Sequence, residues 1–149
     1  MKMLRTGNEW SGPIEIFIAK SDQMLIDSNI IIIASKLQNI KLLEKLKAYE
    51  TAVSVSVITQ IEVLGYHQLK AVEKLFLENF FQSIQVLPLN DIIVKKAIEL
   101  RQQRMLTLAD AIIAATSIAH KKHLLTENTK DYIRIAELEL ISIDRFLSE

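Results

Sequence analysis

The chain of 149 residues contains no cysteine, three glycines, two prolines and one tryptophan. Without thiols it can hold neither a disulfide nor a thiolate metal site, and it suits a reducing compartment such as the cytoplasm. Scarce glycine and proline exclude collagenous and linker-rich architectures. No apolar run approaches the roughly 20 residues of a membrane span, and the N-terminus has no secretory apolar segment. Net charge is absent as well: 18 Lys and Arg balance 18 Asp and Glu. Any polyanion would therefore have to be gripped by a local cationic patch rather than by the charge of the whole molecule.

What is present is a chain that is half apolar and one quarter charged, long enough for one domain with a substantial core. Residues 1–23 hold two of the three glycines and one proline, with no helical period. They are expected to be an N-terminal appendage, optional or non-native, with 14–19 the one stretch suited to a short strand. The domain is expected over residues 24–149.

From Met24 onward, apolar runs alternate with helical patterns. Strands are expected at Met24–Ile26, Ala52–Val57, Ile84–Leu87, His123–Leu125 and Leu140–Ile143. Leu69, Val72, Phe76 and Phe80 recur at helical spacing, as do Ile93, Ala97 and Leu100, whereas Phe81 faces elsewhere, toward core or interface. Ala111, Ala114, Ala115 and Ile118 form a small-residue stripe that lets helices approach closely. This alternation predicts an α/β fold with helices on both faces of a parallel sheet.

Four acids fall at element boundaries. Asp27 interrupts the apolar stretch "MLIDSNIIIIASK", Glu62 follows the second strand, Asp110 opens a helix in "LTLADAIIAATSIAH", and Asp131 closes "LLTENTKDY". Strand ends and helix starts share one edge of a parallel sheet, where ligands bind. Each acid alone reads as a helix cap: Thr59-x-x-Glu62 and Thr107-x-x-Asp110 have capping-box spacing, and Asn128-x-x-Asp131 is similar. Caps need not converge, however, and a buried carboxylate such as Asp27 requires compensation. A divalent cation held by hard oxygen ligands supplies it.

In this order and spacing, the blocks "LIDSN", "ITQIEVLG" and "LTLADAIIAATSIAHKKHLLTENTKDY" resemble PIN-domain ribonucleases, specifically the VapC toxins of type II toxin–antitoxin systems. The likeness spans about Met24 to Leu147. It implies a PIN-like three-layer α/β/α sandwich with a small, mostly parallel sheet of four or five strands. It also implies a Mg²⁺- or Mn²⁺-dependent endoribonuclease acting on tRNA or rRNA, leaving a 5′-phosphate and a 3′-hydroxyl. By this resemblance Asp27, Glu62 and Asp110 match the core metal-binding and catalytic acids, and Asp131 the more variable fourth. Ser28, Thr126 and Asn128 match supporting polar positions. The implied partners are an RNA substrate, a cognate antitoxin and a second copy of the chain.

Arg101 and Arg104, on a helix leading toward Asp110, are the preferred phosphate contacts; Lys95, Lys96, Lys121, Lys122 and Lys130 read as solvated. His67, His120 and His123 lack metal-ligand spacing and read as surface or capping residues. The alternative reading is a catalytically silent PIN-like module that binds RNA or protein. A phosphotransfer domain is disfavoured by Asn29, where a second carboxylate would be wanted, and an NTPase by the lack of a glycine-rich phosphate loop.

Overall fold

The computed structural model describes residues 23–148. All of the expected appendage, residues 1–23, except Gln23 lies outside the described residues, and so does the strand expected at 14–19. Five strands, β1 (Met24–Ile26), β2 (Val53–Ser56), β3 (Gln85–Leu87), β4 (His123–Leu125) and β5 (Leu140–Ile141), form one sheet in the order β3-β2-β1-β4-β5. Every pairing is parallel, so the expected mostly parallel sheet is wholly so among these strands. In the register of the central strands, Leu25 sits opposite Leu124 and Ile26 opposite Leu125.

Period-two alternation along these short strands separates two cores. Met24, Ile26, Val53, Val55 and Leu125 face one side. There they meet α1 (Ser28–Ala34), α2 (Ile40–Ala48), α4 (Ala71–Ser83) and α8 (Ile143–Ser148) through Ile30, Ile31, Leu42, Leu46, Leu77, Phe81 and Phe146. Leu25, Leu87 and Leu124 face the other side, against α5 (Asp91–Gln103) and α6 (Leu108–Ala119). The stripe Ala111, Ala114 and Ala115 is completely buried there beside Ala97 and Leu100. Two further helices, α3 (Val57–Leu64) and α7 (Thr129–Tyr132), follow β2 and β4 at the carboxyl edge of the sheet. The result is the three-layer α/β/α sandwich expected from the sequence.

Several local expectations are corrected. β2 begins at Val53 and stops at Ser56, because Ser56 caps α3 by accepting from the Ile58 N–H at 3.1 Å. Thr59 is therefore a buried residue inside α3, not its cap. Asn128 flanks α7 without a side-chain capping bond. On α4 the buried face is Leu77 and Phe81; Phe76 and Phe80 are half-buried beside it and Val72 is exposed. Phe76 and Phe80 thus pack at the margin of the core, and of the two places open to Phe81, core or interface, it takes the core. Lys122 and His123 are buried rather than solvated: Lys122 Nζ donates to Gln23, and His123 Nε2 pairs with Glu139 at 2.8 Å. Lys121 adopts a left-handed φ of 55° at the end of α6, a conformation that terminates helices.

Candidate active site

The strand order reverses between β1 and β4, which opens a crevice beyond their carboxyl ends. Asp27 follows β1 directly. Its N–H donates to the Leu125 carbonyl at 2.9 Å, and its Oδ1 accepts from the Ser28 N–H at 2.8 Å, capping α1. The side chain is 4% exposed. Thr126, directly after β4, donates its hydroxyl to Asp27 Oδ2 at 2.7 Å. The Asn128 N–H donates to Thr126 Oγ1 at 3.0 Å, which engages the oxygen's lone pair and leaves the proton for Asp27.

Asp110 reaches the same place from α6. Thr107 caps that helix by accepting from the Asp110 N–H at 3.1 Å, as the spacing predicts. Tyr132 joins the two acids. Its hydroxyl lies 3.2 Å from Asp27 Oδ2 and 3.0 Å from Asp110 Oδ1, within donating distance of both but with a single proton for the two. Glu62, exposed on α3, is tied to the group through Ser28, whose hydroxyl donates to Glu62 Oε1 at 2.6 Å and lies 3.2 Å from Thr59 Oγ1.

Burial raises the Asp27 carboxyl above its ordinary value, and the charge of Asp110 adds to the effect. The hydrogen bonds from Thr126, Ser28 and Tyr132 oppose that rise without overcoming it. Burial, reinforced by the charges of Asp27 and Asp110, holds the Tyr132 phenol far above its usual range. Tyr132 therefore remains a protonated donor at any physiological pH.

The structure thus brings Asp27, Asp110, Glu62, Ser28 and Thr126 into one hydrogen-bonded group. Asp131 stands apart. It is exposed on α7, and its side chain is hydrogen-bonded to none of the other three acids. Asn128 contributes its backbone N–H, with an exposed side chain. Among the described residues no three acidic or histidine side chains stand close enough to share one ion. Asp27 and Asp110, with a single hydroxyl between them, are the pair best placed to do so.

Arg101 and Arg104 line a surface groove of about 580 Å³ with Met105, Leu106 and Thr107, directly before the start of α6. Arg101 Nε donates to the Leu106 carbonyl at 3.3 Å, and Arg104 donates to the Arg134 carbonyl at 3.1 Å. Lys96 is instead held between Glu99 and Glu137, at 2.9 and 2.7 Å.

The sequence assigns no site role to Tyr132, and it offers Thr59 only as a cap and Asn29 only as an argument against phosphotransfer. Asn29 Oδ1 accepts from the Glu127 N–H at 3.3 Å and so links the ends of β1 and β4. Tyr132 had one visible sign, its place directly after Asp131 in the motif "TENTKDY".

The PIN domain family model matches residues 24–138. Among solved structures, one from a toxin–antitoxin complex of Klebsiella pneumoniae is 28% identical, with a TM-score of 0.66 over 80% of this chain and 96% of that one. VapBC2 from Rickettsia felis, bound to a promoter DNA fragment, gives 21% identity and a TM-score of 0.70 over 80% and 97% of the two chains. DNA-bound VapBC from Salmonella typhimurium gives 16% and 0.72 over 81% and 98%. No curated protein matches the chain. With the matched region running from the start of β1 almost to β5, the chain belongs to the PIN domain family, and its likeness is to PIN domains of the VapC type.

Proposed function

We propose that this PIN domain is a Mg²⁺- or Mn²⁺-dependent endoribonuclease, the toxin of a type II toxin–antitoxin pair acting on tRNA or rRNA in the cytoplasm. One observation carries the reading. Asp27, buried at the switch point, receives hydrogen bonds only from neutral donors among the described residues, while facing a second carboxylate. A buried, charge-repelled carboxylate calls for a cation.

The residues present fit a hard divalent ion. The donors are carboxylate and hydroxyl oxygens, and Mg²⁺ usually takes only one or two carboxylates, with waters and substrate phosphate oxygens completing its shell. Asp27 and Asp110 would hold it, while Glu62 and Asp131, both exposed, are the outer carboxylates. When bound, the ion supplies Lewis-acid polarisation of the scissile phosphate and offsets charge on the leaving oxygen.

The chain's own side chains do the rest. Thr126 and the Ser28 N–H keep Asp27 in one rotamer, and Ser28 keeps Glu62 turned toward the crevice. Arg101 and Arg104 hold phosphates of the incoming strand beside the start of α6. No side chain forms a covalent intermediate. The partners are the RNA, an antitoxin of the kind present in the neighbouring complexes, and a second copy of the chain. Among the described residues no helix is long and apolar enough to cross a membrane.

A silent binding module is the second reading, favoured by the lack of any three converging carboxylates. Incubation of the purified chain with end-labelled RNA separates the two. Cleavage that needs Mg²⁺ or Mn²⁺, stops with EDTA and is lost in Asp27→Asn is the expected result. Cleavage by Asp27→Asn at the wild-type rate would sink the assignment, and retention of RNA without cleavage would favour the binding module.

A further inference from the structure

We propose that Tyr132 is a positioning residue that sets the separation of Asp27 and Asp110, so that the pair meets a divalent cation already aligned. The inference rests on the nuclease reading above and assigns a residue to the same site.

The two acids differ in how they are held. Asp27 is fixed independently by the Ser28 N–H and the Thr126 hydroxyl. Asp110 is only partly buried, and among the described residues the Tyr132 hydroxyl is the one hydrogen-bond partner of its carboxylate. Without that bond, the Asp110 side chain is free to change rotamer and point to solvent. The Tyr132 ring is 1% exposed, within the same core as Leu124, Ile135 and Leu138. Its oxygen is therefore held by packing and acts as a fixed spacer between the carboxylates. One hydroxyl carries one proton and cannot satisfy two carboxylates at once. Tyr132 orders the pair without neutralising it and leaves the charge for a cation.

The test is Tyr132→Phe, which keeps the ring and removes only the oxygen. The full chain is titrated with Mn²⁺, without RNA, and the midpoint is read from the rise in Tm; RNA cleavage is then measured against Mn²⁺ concentration. A partner that orients a metal ligand contributes about 10–100-fold in affinity or activity. Both midpoints should therefore move to higher Mn²⁺ by that factor, with cleavage largely recovered at saturating Mn²⁺. A merely structural role would lower Tm at every Mn²⁺ concentration and leave the midpoints in place. Asp110→Ala gives a second reading: adding Tyr132→Phe to it should move the Tm midpoint no further.

If wild type gains Tm with Mn²⁺ but Tyr132→Phe keeps the same midpoint, or if the double variant shifts additively, the positioning role is overturned alone. If wild type shows neither a Mn²⁺-dependent rise in Tm nor Mn²⁺-dependent cleavage, the nuclease reading falls and this inference with it.

Discussion

Ser28 Oγ and Glu62 Oε1 lie 2.6 Å apart, so the first turn of α1 holds a carboxylate that α3 presents from across the crevice. The Ser28 hydroxyl has one proton, and the charged acceptor takes it; buried Thr59, 3.2 Å away, then donates its own proton back to Ser28. Ser28→Ala breaks both contacts. The loss is expected to cost about 1 kcal/mol in urea unfolding, mostly from the stranded Thr59 hydroxyl. RNA cleavage should fall while the fold persists, because Glu62 is then free to turn away. An unchanged cleavage rate would show that Glu62 needs no tether.

The raised Asp27 carboxyl has a stability consequence whose sign is fixed. Its folded pKa lies above the unfolded value of 3.8, so the folded state binds the proton more tightly. Below that unfolded value the residue carries no ionisation penalty; as pH rises through the folded value, the penalty develops in full. Asp27→Asn should therefore raise Tm in EDTA at pH 7, with the gain shrinking toward pH 4. Asn suits the site: its oxygen accepts from the Ser28 N–H, and its NH₂ faces hydroxyl oxygens of Thr126 and Tyr132, which also accept. A Tm gain independent of pH, or a loss at pH 7, would contradict the burial argument.

Asp27 was legible because an acid inside an apolar run marks itself, and the Thr107–Asp110 cap because its signal is local. The residues that were missed depend on distant partners. Tyr132 lies 105 residues from Asp27 and 22 from Asp110, and a tyrosine ending a short polar segment reads as an ordinary core anchor. Its neighbour Asp131 then follows from geometry. Successive helical side chains diverge by about 100°, so Asp131 does not share the direction of Tyr132 and stays exposed, outside the hydrogen-bonded group. Thr59-x-x-Glu62 imitates a capping box, but the strand runs directly into α3 and Ser56 takes the cap three residues earlier. On α4, apolar residues at 71, 72, 75, 76, 77, 80 and 81 surround the helix, and only the sheet beneath selects Leu77 and Phe81 as its buried face.

Gly65 caps the C-terminus of α3 with an ordinary φ of −85°, so its role is space rather than backbone freedom. A Cβ at this position would come 2.5 Å from the Ile61 carbonyl oxygen, a backbone atom that cannot swing aside. Gly65→Ala should destabilise the domain by about 1–3 kcal/mol, the usual range for overpacking. The measurement is the urea midpoint at constant slope. Stability equal to wild type would mean that the last turn of α3 relaxes freely.

Arg101 and Arg104 are the cations best placed to meet a phosphate backbone beside the start of α6. Each uses one or two N–H groups on local acceptors and keeps others of its five donors for a ligand. Lys96 differs, because Glu137 and Glu99 hold it and raise its pKa. Binding can be measured in the Asp27→Asn background, where the substrate is not consumed. Each phosphate contact on a single strand contributes about 0.7 to the slope of log K against log salt. Arg101→Ala and Arg104→Ala should each flatten the slope by about that much, while Lys96→Ala leaves it unchanged. Slopes unaltered by either arginine would place the phosphate path elsewhere on the surface, and an effect confined to Lys96→Ala would move it toward the face of α5 that carries Glu99.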